Sequence, residues 1–168
     1  MSVASLLVAL AAFAGFAYGY YIAAALLAQA SSIVDGVDGD LARLKNMTSD
    51  FGGFMDSVLD RYADALIIMG LTVWAAGGDS PAHVWITGFL ALAGTFAVTY
   101  TRARIESVQP GSFDRGFTFA ASRDVRIFLV MIGALAGQGF ATLIVLAALT
   151  NGVVLLRIFT ARRILKGA

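Results

Sequence analysis

The stretch SSIVDGVDGDLARLKNMTSDFGGFMDSVLDRYAD, residues 31–64, concentrates acidic side chains in an otherwise apolar chain. It contains seven of the eleven acidic residues of the 168-residue protein: Asp35, Asp38, Asp40, Asp50, Asp56, Asp60 and Asp64. Over the whole chain 59% of residues are hydrophobic and only 14% are charged, whereas soluble domains average about 25% charged residues. The low charge predicts that lipid surrounds most of the protein. A cluster of acids is unexpected in such a chain and requires a separate explanation.

Six apolar segments follow one another along the chain, and each approaches the roughly 20 residues that a membrane-spanning helix needs. They cover about 3–19, 21–44, 51–76, 82–105, 121–138 and 140–163. The sequence therefore predicts an all-α, polytopic integral membrane protein with six transmembrane helices in one domain, residues 1–168. The absence of cysteine excludes a disulfide framework, a thiolate nucleophile and a zinc–thiolate site.

The basic residues indicate how such a protein lies in the membrane. All twelve fall at or near the segment ends that share a side with the termini, at positions 43, 45, 61, 102, 104, 115, 123, 126, 157, 162, 163 and 166. The opposite loops, GYY, AAGGDSPAH and GQGF, contain no lysine or arginine. Because cytoplasmic loops carry the excess of Lys and Arg, both termini and the acidic stretch are predicted to be cytoplasmic.

The acids are spaced to share helix faces. Asp35 and Asp38 are three residues apart near the end of the second segment, and Asp56, Asp60 and Asp64 are four apart in the third. Residues three or four apart lie on the same face of a helix. A short turn between the two segments is expected to form an antiparallel hairpin, which would gather at least four carboxylates at the membrane interface.

Carboxylates at such close range need counter-charge, because like charges oppose one another's ionisation and partial burial in the membrane adds a desolvation cost. Oxygen ligands of this kind suit Mg²⁺, Mn²⁺ or Ca²⁺. A two-metal carboxylate site is typical of phosphoryl chemistry. Small residues beside the acids leave room for a ligand, and Arg43 offers a guanidinium suited to phosphate. A merely solvated acidic face ranks lower, because acids within membrane segments are rare and usually functional.

Residues 35–60, DGVDGDLARLKNMTSDFGGFMDSVLD, resemble the signature of the CDP-alcohol phosphotransferases, Asp-x2-Asp-Gly-x2-Ala-Arg-x8-Gly-x3-Asp-x3-Asp. Every fixed position is present: Asp35, Asp38, Gly39, Ala42, Arg43, Gly52, Asp56 and Asp60. The resemblance implies an integral membrane enzyme that displaces CMP from a CDP-alcohol with an acceptor hydroxyl and so forms a phosphodiester. Its active site would face the cytoplasm.

The resemblance also implies roles for these positions. Two divalent cations, Mg²⁺ or Mn²⁺, would be held by Asp35, Asp38, Asp56 and Asp60. Asp60 would in addition be the catalytic base that takes the acceptor's proton. The nucleotide would be bound by Gly39, Ala42, Arg43 and Gly52. Asp64 lies outside the signature; it is expected either to support the metal ligands or to pair with Arg61.

The acceptor is predicted from arginines beyond the signature. In family members that use inositol phosphate, basic residues at comparable places hold the acceptor phosphate, and the best matches are Arg102, Arg123 and Arg157. The chain looks most like the branch that makes di-myo-inositol phosphate phosphate from CDP-inositol and inositol 1-phosphate. The alternative is a phosphatidylinositol-phosphate or archaetidylinositol-phosphate synthase with a CDP-lipid donor, which would need a lateral opening between helices.

Partners follow from the same resemblance. Family members usually carry a cytoplasmic segment before the first span, and some carry a fused nucleotidyltransferase domain. This chain begins at the first span, so it is expected to be either a natural short form or a membrane domain separated from such an upstream part. Membrane lipid and a second copy of the chain are further expected partners, whereas nucleic acid is not.

Two other classes rank lower. Intramembrane prenyltransferases need a second Asp-rich cluster, and after Asp64 only four scattered acids remain: Asp79, Glu106, Asp114 and Asp124. A cation transporter would use carboxylates, but it would not require the glycine, alanine and arginine at the spacings of the signature.

Overall fold

The computed structural model of the protein describes residues 2–44, 49–108 and 121–166, except for the side chains of residues 2, 38, 40, 42, 43 and 163–166. Six helices account for these residues: α1 (Ser2–Ala17), α2 (Tyr21–Leu44), α3 (Asp50–Ala76), α4 (Ala82–Val108), α5 (Arg123–Leu135) and α6 (Gly139–Lys166). The predicted all-α class is confirmed, and each helix lies in one of the six predicted segments.

Two of the helices are long and apolar enough to cross a membrane by length and composition, namely Ala82–Val108 and the Gly139–Arg162 part of α6. Two shorter apolar helices cover Val3–Ala17 and Tyr21–Val37. In α3 the acids and Arg61 lower the hydropathy of the first half, and α5 has only 13 residues. The structure therefore shows a helical bundle with two evident spanning helices.

Contacts at the two ends of the bundle show that successive helices run in alternate directions. At one end, which we call the aromatic end, the Trp74 ring stacks on Tyr21 with centroids 4.7 Å apart and lies 6.0 Å from Phe16. At the other end Ser5 of α1 contacts Asp35 of α2, and Arg123 of α5 contacts Asp60 of α3. We call this the carboxylate end; α2 ends there and α5 begins there.

The packing differs from the expected α2–α3 hairpin. In the described part of the chain α1 packs along both α2 and α3, while α2 and α3 make no extensive contact with each other. Small residues let α1 approach both neighbours: a Cβ on Gly15 would lie 3.0 Å from the Cβ of Ala24, and one on Gly70 would lie 3.0 Å from the Cα of Phe13. The acidic faces of α2 and α3 meet as expected, but packing of both helices on α1, rather than extensive packing of α2 on α3, brings them together.

Three further helix–helix contacts each contain a glycine packed against a threonine. Each glycine lies beneath a threonine of a neighbouring helix, in the pairs Gly88–Thr72, Gly94–Thr150 and Gly133–Thr142. Each threonine hydroxyl donates to the carbonyl four residues earlier in its own helix, at 2.7–2.8 Å. A Cβ on the glycine would come within 1.8–2.3 Å of that hydroxyl oxygen. Close approach of this kind is how membrane helices commonly pack.

Candidate active site

Three carboxylates of the signature converge at the carboxylate end. Asp35 comes from α2, and Asp56 and Asp60 come from successive turns of α3. One oxygen of each lies within 4.8 Å of the others, and all three residues are partly buried. The fixed spacing on α3 explains the pairing of Asp56 with Asp60, whereas the approach of Asp35 depends on how α1 positions α2. This set of oxygen donors fits a hard divalent cation.

Arg123 lies directly against these acids. Its Nη1 is 2.5 Å from Asp35 Oδ2 and 2.9 Å from Asp60 Oδ1. It is the first residue of α5, where the Ser122 side chain accepts a hydrogen bond from the Val125 N–H. Arg123 Nη2 is buried and has no hydrogen-bond partner. Nη1 therefore balances Asp35 and Asp60, and among the described residues Nη2 has no partner of its own.

Asp64, one turn beyond the signature, joins Arg123 to a second arginine. It is 1% exposed, and its two oxygens lie 3.2 Å from Arg123 Nε and 2.8 Å from Arg126 Nη2. Arg126 also donates to the carbonyl of Ala121 at 2.6 Å. Of the two alternatives for Asp64, the pairing with Arg61 is not the one found: Arg61 Nη2 lies 3.8 Å from Asp60 Oδ2. The four-residue spacing after Asp60 was the only signal for Asp64 in the sequence.

Serine side chains fix the neighbouring helices around Asp35. Ser5 Oγ donates to Asp35 Oδ1 at 3.4 Å, and Ser31 Oγ donates to the carbonyl of Ser5 at 2.8 Å. Ser32 Oγ donates to Asp124 Oδ1 at 3.0 Å, which ties α2 to the start of α5. Residues from α1, α2, α3 and α5 thus share one polar cluster.

The predicted nucleotide residues have different surroundings. Among the described residues, no atom lies within 4 Å of a Cβ added to Gly39 or Gly53. Gly52 instead takes part in the start of α3, where its N–H donates to the Ser49 side chain at 3.0 Å. The side chains of Ala42 and Arg43 lie outside the described part of the chain.

The side chain of the predicted metal ligand Asp38 also lies outside the described part of the chain.

Besides Arg123, the two other predicted acceptor arginines, Arg102 and Arg157, lie at the carboxylate ends of α4 and α6. Arg157 is 4% exposed and donates through Nη1 to the carbonyl of Val98 and, at 3.1 Å, to Thr101 Oγ1. Arg102 is exposed. Arg123, in contrast, contacts the signature acids Asp35 and Asp60.

A family model for CDP-alcohol phosphatidyltransferase matches residues 1–154. The chain therefore belongs to this family, and the family predicted from the signature, a family of transferases, is confirmed. A metal-binding carboxylate cluster agrees with that membership.

Characterised relatives agree with the inositol-related branches. The chain is 42% identical over 137 residues to a bifunctional IPC transferase and DIPP synthase of Rubrobacter xylanophilus, covering 82% of this chain and 30% of that protein. It is 43% identical over 152 residues to an archaetidylinositol phosphate synthase of Methanothermobacter thermautotrophicus, covering 85% of this chain and 71% of that protein. The chain thus spans less than a third of the first relative and most of the second.

The fold is also found in a solved structure. Phosphatidylinositol phosphate synthase of Mycobacterium tuberculosis, crystallised with CDP-DAG bound, superposes with a TM-score of 0.80 over 95% of this chain and 83% of that chain. At 24% identity the likeness concerns the fold alone.

Proposed function

We propose that the chain transfers the phospho-alcohol group of a CDP-alcohol to a hydroxyl of an inositol phosphate and releases CMP. The first candidate donor is CDP-inositol, with inositol 1-phosphate as acceptor and di-myo-inositol phosphate phosphate as product. One observation carries the proposal: three signature carboxylates lie within 4.8 Å of one another, with Arg123 against two of them.

In this reaction the acceptor oxygen attacks the phosphorus that bears the donor's alcohol, and the bond from that phosphorus to the CMP oxygen breaks. Asp60, whose carboxylate lies in the cluster 2.9 Å from Arg123, takes the acceptor's proton. The residues that would hold two divalent cations, Mg²⁺ or Mn²⁺, are Asp35, Asp38, Asp56 and Asp60. When bound, these cations supply charge neutralisation for the diphosphate and the leaving CMP.

The acceptor phosphate would be bound by arginine. Among the described residues Arg123 Nη2 is buried without a hydrogen-bond partner, and a guanidinium N–H in that position favours an anion that accepts a hydrogen bond from it. Arg102 and Arg157 remain the other predicted acceptor residues. The cytidine would lie in the open space beside Gly39, close to Ala42, Arg43 and Gly52.

A membrane location with the carboxylate end in the cytoplasm is part of the proposal. The bundle buries polar side chains such as Ser31, Thr95 and Thr150, and exposes large apolar ones on several helices, including Leu7, Ile22, Phe89, Ile144 and Leu155. Such an exterior is costly in water and suits lipid. Six spans with both termini cytoplasmic would place the basic residues inside.

Single cysteines test this orientation, because the sequence has none of its own. In intact cells a membrane-impermeant maleimide should label Asp79→Cys, on the loop after α3, and leave Ser107→Cys, at the end of α4, unlabelled. The reverse pattern would contradict the cytoplasmic active site.

A second candidate donor is a CDP-lipid, giving a phosphatidylinositol-phosphate or archaetidylinositol-phosphate synthase. An open apolar groove of about 620 Å³ lies between α3 and α4 and provides the lateral opening that a lipid tail needs. Its lining includes Phe54, Val58, Tyr62, Phe96, Tyr100 and Arg61. Because Arg61 also lies 3.8 Å from Asp60, the groove adjoins the carboxylate cluster.

Two partners remain predictions. A homodimer would show as a doubled mass in nanodiscs. An upstream nucleotidyltransferase domain would be consistent with the bifunctional relative, of which the chain spans 30%.

CMP release by the purified protein with Mg²⁺ tests the proposed function. CDP-inositol and a CDP-lipid are each offered with and without inositol 1-phosphate. CMP released from CDP-inositol only with the acceptor supports the first candidate, and release from the CDP-lipid with the same acceptor supports the second. Asp50→Asn is the matched control for Asp60→Asn, because Asp50 is exposed in the first turn of the same helix. No release in any combination would contradict the proposal.

A further inference from the structure

Asp64 is the most buried acid of the described carboxylate end, and the proposed reaction gives it no role. It is 1% exposed, lies outside the signature and binds one arginine with each oxygen. Neither arginine belongs to its own helix: Arg123 and Arg126 both come from the first turn of α5. Asp64 therefore connects α3 to α5 at the point where Arg123 reaches the other acids.

We propose that Asp64 is a positioning residue that holds Arg123 in the orientation that the acceptor phosphate requires. This inference rests on the proposed function, since the acceptor phosphate is the ligand that Arg123 would bind. Asp64 itself need not touch any substrate.

The geometry of Arg123 supports this role. An unrestrained arginine side chain has many rotamers, but its planar guanidinium presents donors in a fixed fork. Asp64 of α3 binds Arg123 Nε at 3.2 Å, and this contact fixes the orientation of the guanidinium plane. Nη1 then points to Asp35 and Asp60, and Nη2 is left buried without a partner. Fixing Nε thus determines where the nitrogen available to a ligand lies.

Arg126 strengthens the arrangement. It is 4% exposed and pairs with the second oxygen of Asp64 at 2.8 Å, while its Nη1 donates to the carbonyl of Ala121. With both oxygens engaged, the Asp64 carboxylate cannot rotate without losing a bond to a buried cation, which is costly. Arg126 therefore fixes Asp64, and Asp64 fixes Arg123.

A double-mutant cycle tests the proposal, with KM and kcat measured by CMP release as inositol 1-phosphate is varied. Asp64→Asn is expected to raise the KM for the acceptor about 10-fold to 100-fold, as for other supporting residues around a site, and to leave the donor KM nearly unchanged. Arg123→Gln is expected to raise the acceptor KM at least as much. If Asp64 acts through Arg123, the double variant should be no worse than Arg123→Gln alone. Multiplying effects, or a wild-type acceptor KM in Asp64→Asn, would overturn the proposal.

Asp124→Asn is the matched control. Asp124 is exposed, adjoins Arg123 in the sequence and accepts a hydrogen bond from Ser32, which asparagine can still accept. The substitution removes the same charge next to Arg123 without touching its guanidinium contacts, so an acceptor KM within about twofold of wild type is expected. An effect as large as that of Asp64→Asn would mean that net charge, not positioning, is responsible.

A second variant avoids an unpaired buried cation. Asp64→Asn/Arg126→Gln removes the buried charges together and leaves Arg123 Nε without its charged partner. The acceptor KM of this double variant should still rise about 10-fold or more, and a wild-type value would overturn the proposal.

Failure of the proposed function is distinguishable from failure of this inference. If wild type releases no CMP, the proposed function fails, and titration with Mn²⁺ alone still tests the role of Asp64. Without Asp64 the Arg123 charge bears fully on Asp35 and Asp60, so Asp64→Asn should weaken Mn²⁺ binding about 10-fold, and Asp124→Asn should not. Equal Mn²⁺ affinities in Asp64→Asn and wild type would overturn the inference.

Discussion

Glycines near the carboxylates and glycines in the helix contacts serve opposite purposes. A Cβ on Gly39 or Gly53 would meet nothing within 4 Å. A Cβ on Gly94 or Gly133 would come within 2.1 Å or 1.8 Å of a threonine hydroxyl on α6. Beside Gly39 and Gly53 the missing side chain leaves space that a ligand could occupy. Beside Gly94 and Gly133 a threonine side chain of α6 occupies that space. Ligand binding and stability are therefore expected to depend on different glycines.

The largest expected effect is a loss of activity without a loss of stability, caused by a substitution at the carboxylate end. Asp60→Asn should lower the rate of CMP release by between about 10² and 10⁴-fold, since it removes the proposed base, with little change in the midpoint of thermal unfolding. Calorimetry should show that this variant still binds the CDP-alcohol.

Asp56→Asn is the comparison, because Asp56 is proposed as a metal ligand without a base function. It should lose metal and nucleotide binding together. Equal and mild effects of the two substitutions would contradict the assigned roles.

The next effect belongs to the packed region. Gly133→Ala should lower the free energy of unfolding by about 1–3 kcal/mol, because the added methyl group would displace Thr142 and shift α5 from α6. Thermal unfolding in one detergent, read by intrinsic fluorescence, measures the change. Gly53→Ala is the control on an open face, and an equal loss of stability there would remove the distinction between the two kinds of glycine.

At Gly39 we expect a smaller effect, and one on ligand binding rather than on stability. Gly39→Ala should leave stability unchanged or improve it, because alanine favours a helix by about 1 kcal/mol over glycine. The donor KM should rise roughly tenfold, equivalent to about 1.4 kcal/mol, if the cytidine occupies the space. An unchanged donor KM would show that the open space is not the nucleotide site.

The smallest effect lies at the start of α3, between the two regions. Ser49 caps the helix that carries Asp56 and Asp60. Ser49→Ala should reduce stability by about 1 kcal/mol, and Ser49→Gly by only a few tenths. Chemical denaturation of both variants measures the difference, and an equal loss in the two would show that the hydroxyl does not contribute as a cap.

The sequence predicted the features that depend on local spacing. Asp56 and Asp60 are one turn apart on a helix, so their shared face follows from periodicity, and the signature added Asp35. Hydropathy likewise placed the six helices. Which helices pack could not be predicted in this way, because α1 approaches α2 and α3 through single close contacts at Gly15 and Gly70.

The partners of Asp64 were beyond prediction for the same reason. Asp64 lies 59 and 62 residues before Arg123 and Arg126 in the chain, and nothing in the spacing of α5 points to α3. Because Asp64 of α3 meets Arg123 and Arg126 of α5 only once the helices have packed, their pairing leaves no periodic pattern in the sequence.

Asp35, Asp56 and Asp60, together with Asp38, are proposed to hold the divalent cations of this CDP-alcohol phosphotransferase. Anomalous scattering from crystals of the protein grown with Mn²⁺ tests this proposal most directly. The expected result is manganese density bounded by the carboxylates of Asp35, Asp56 and Asp60, lost in crystals of Asp56→Asn. Manganese bound elsewhere, or no manganese at the carboxylate end while CMP release proceeds, would contradict the account.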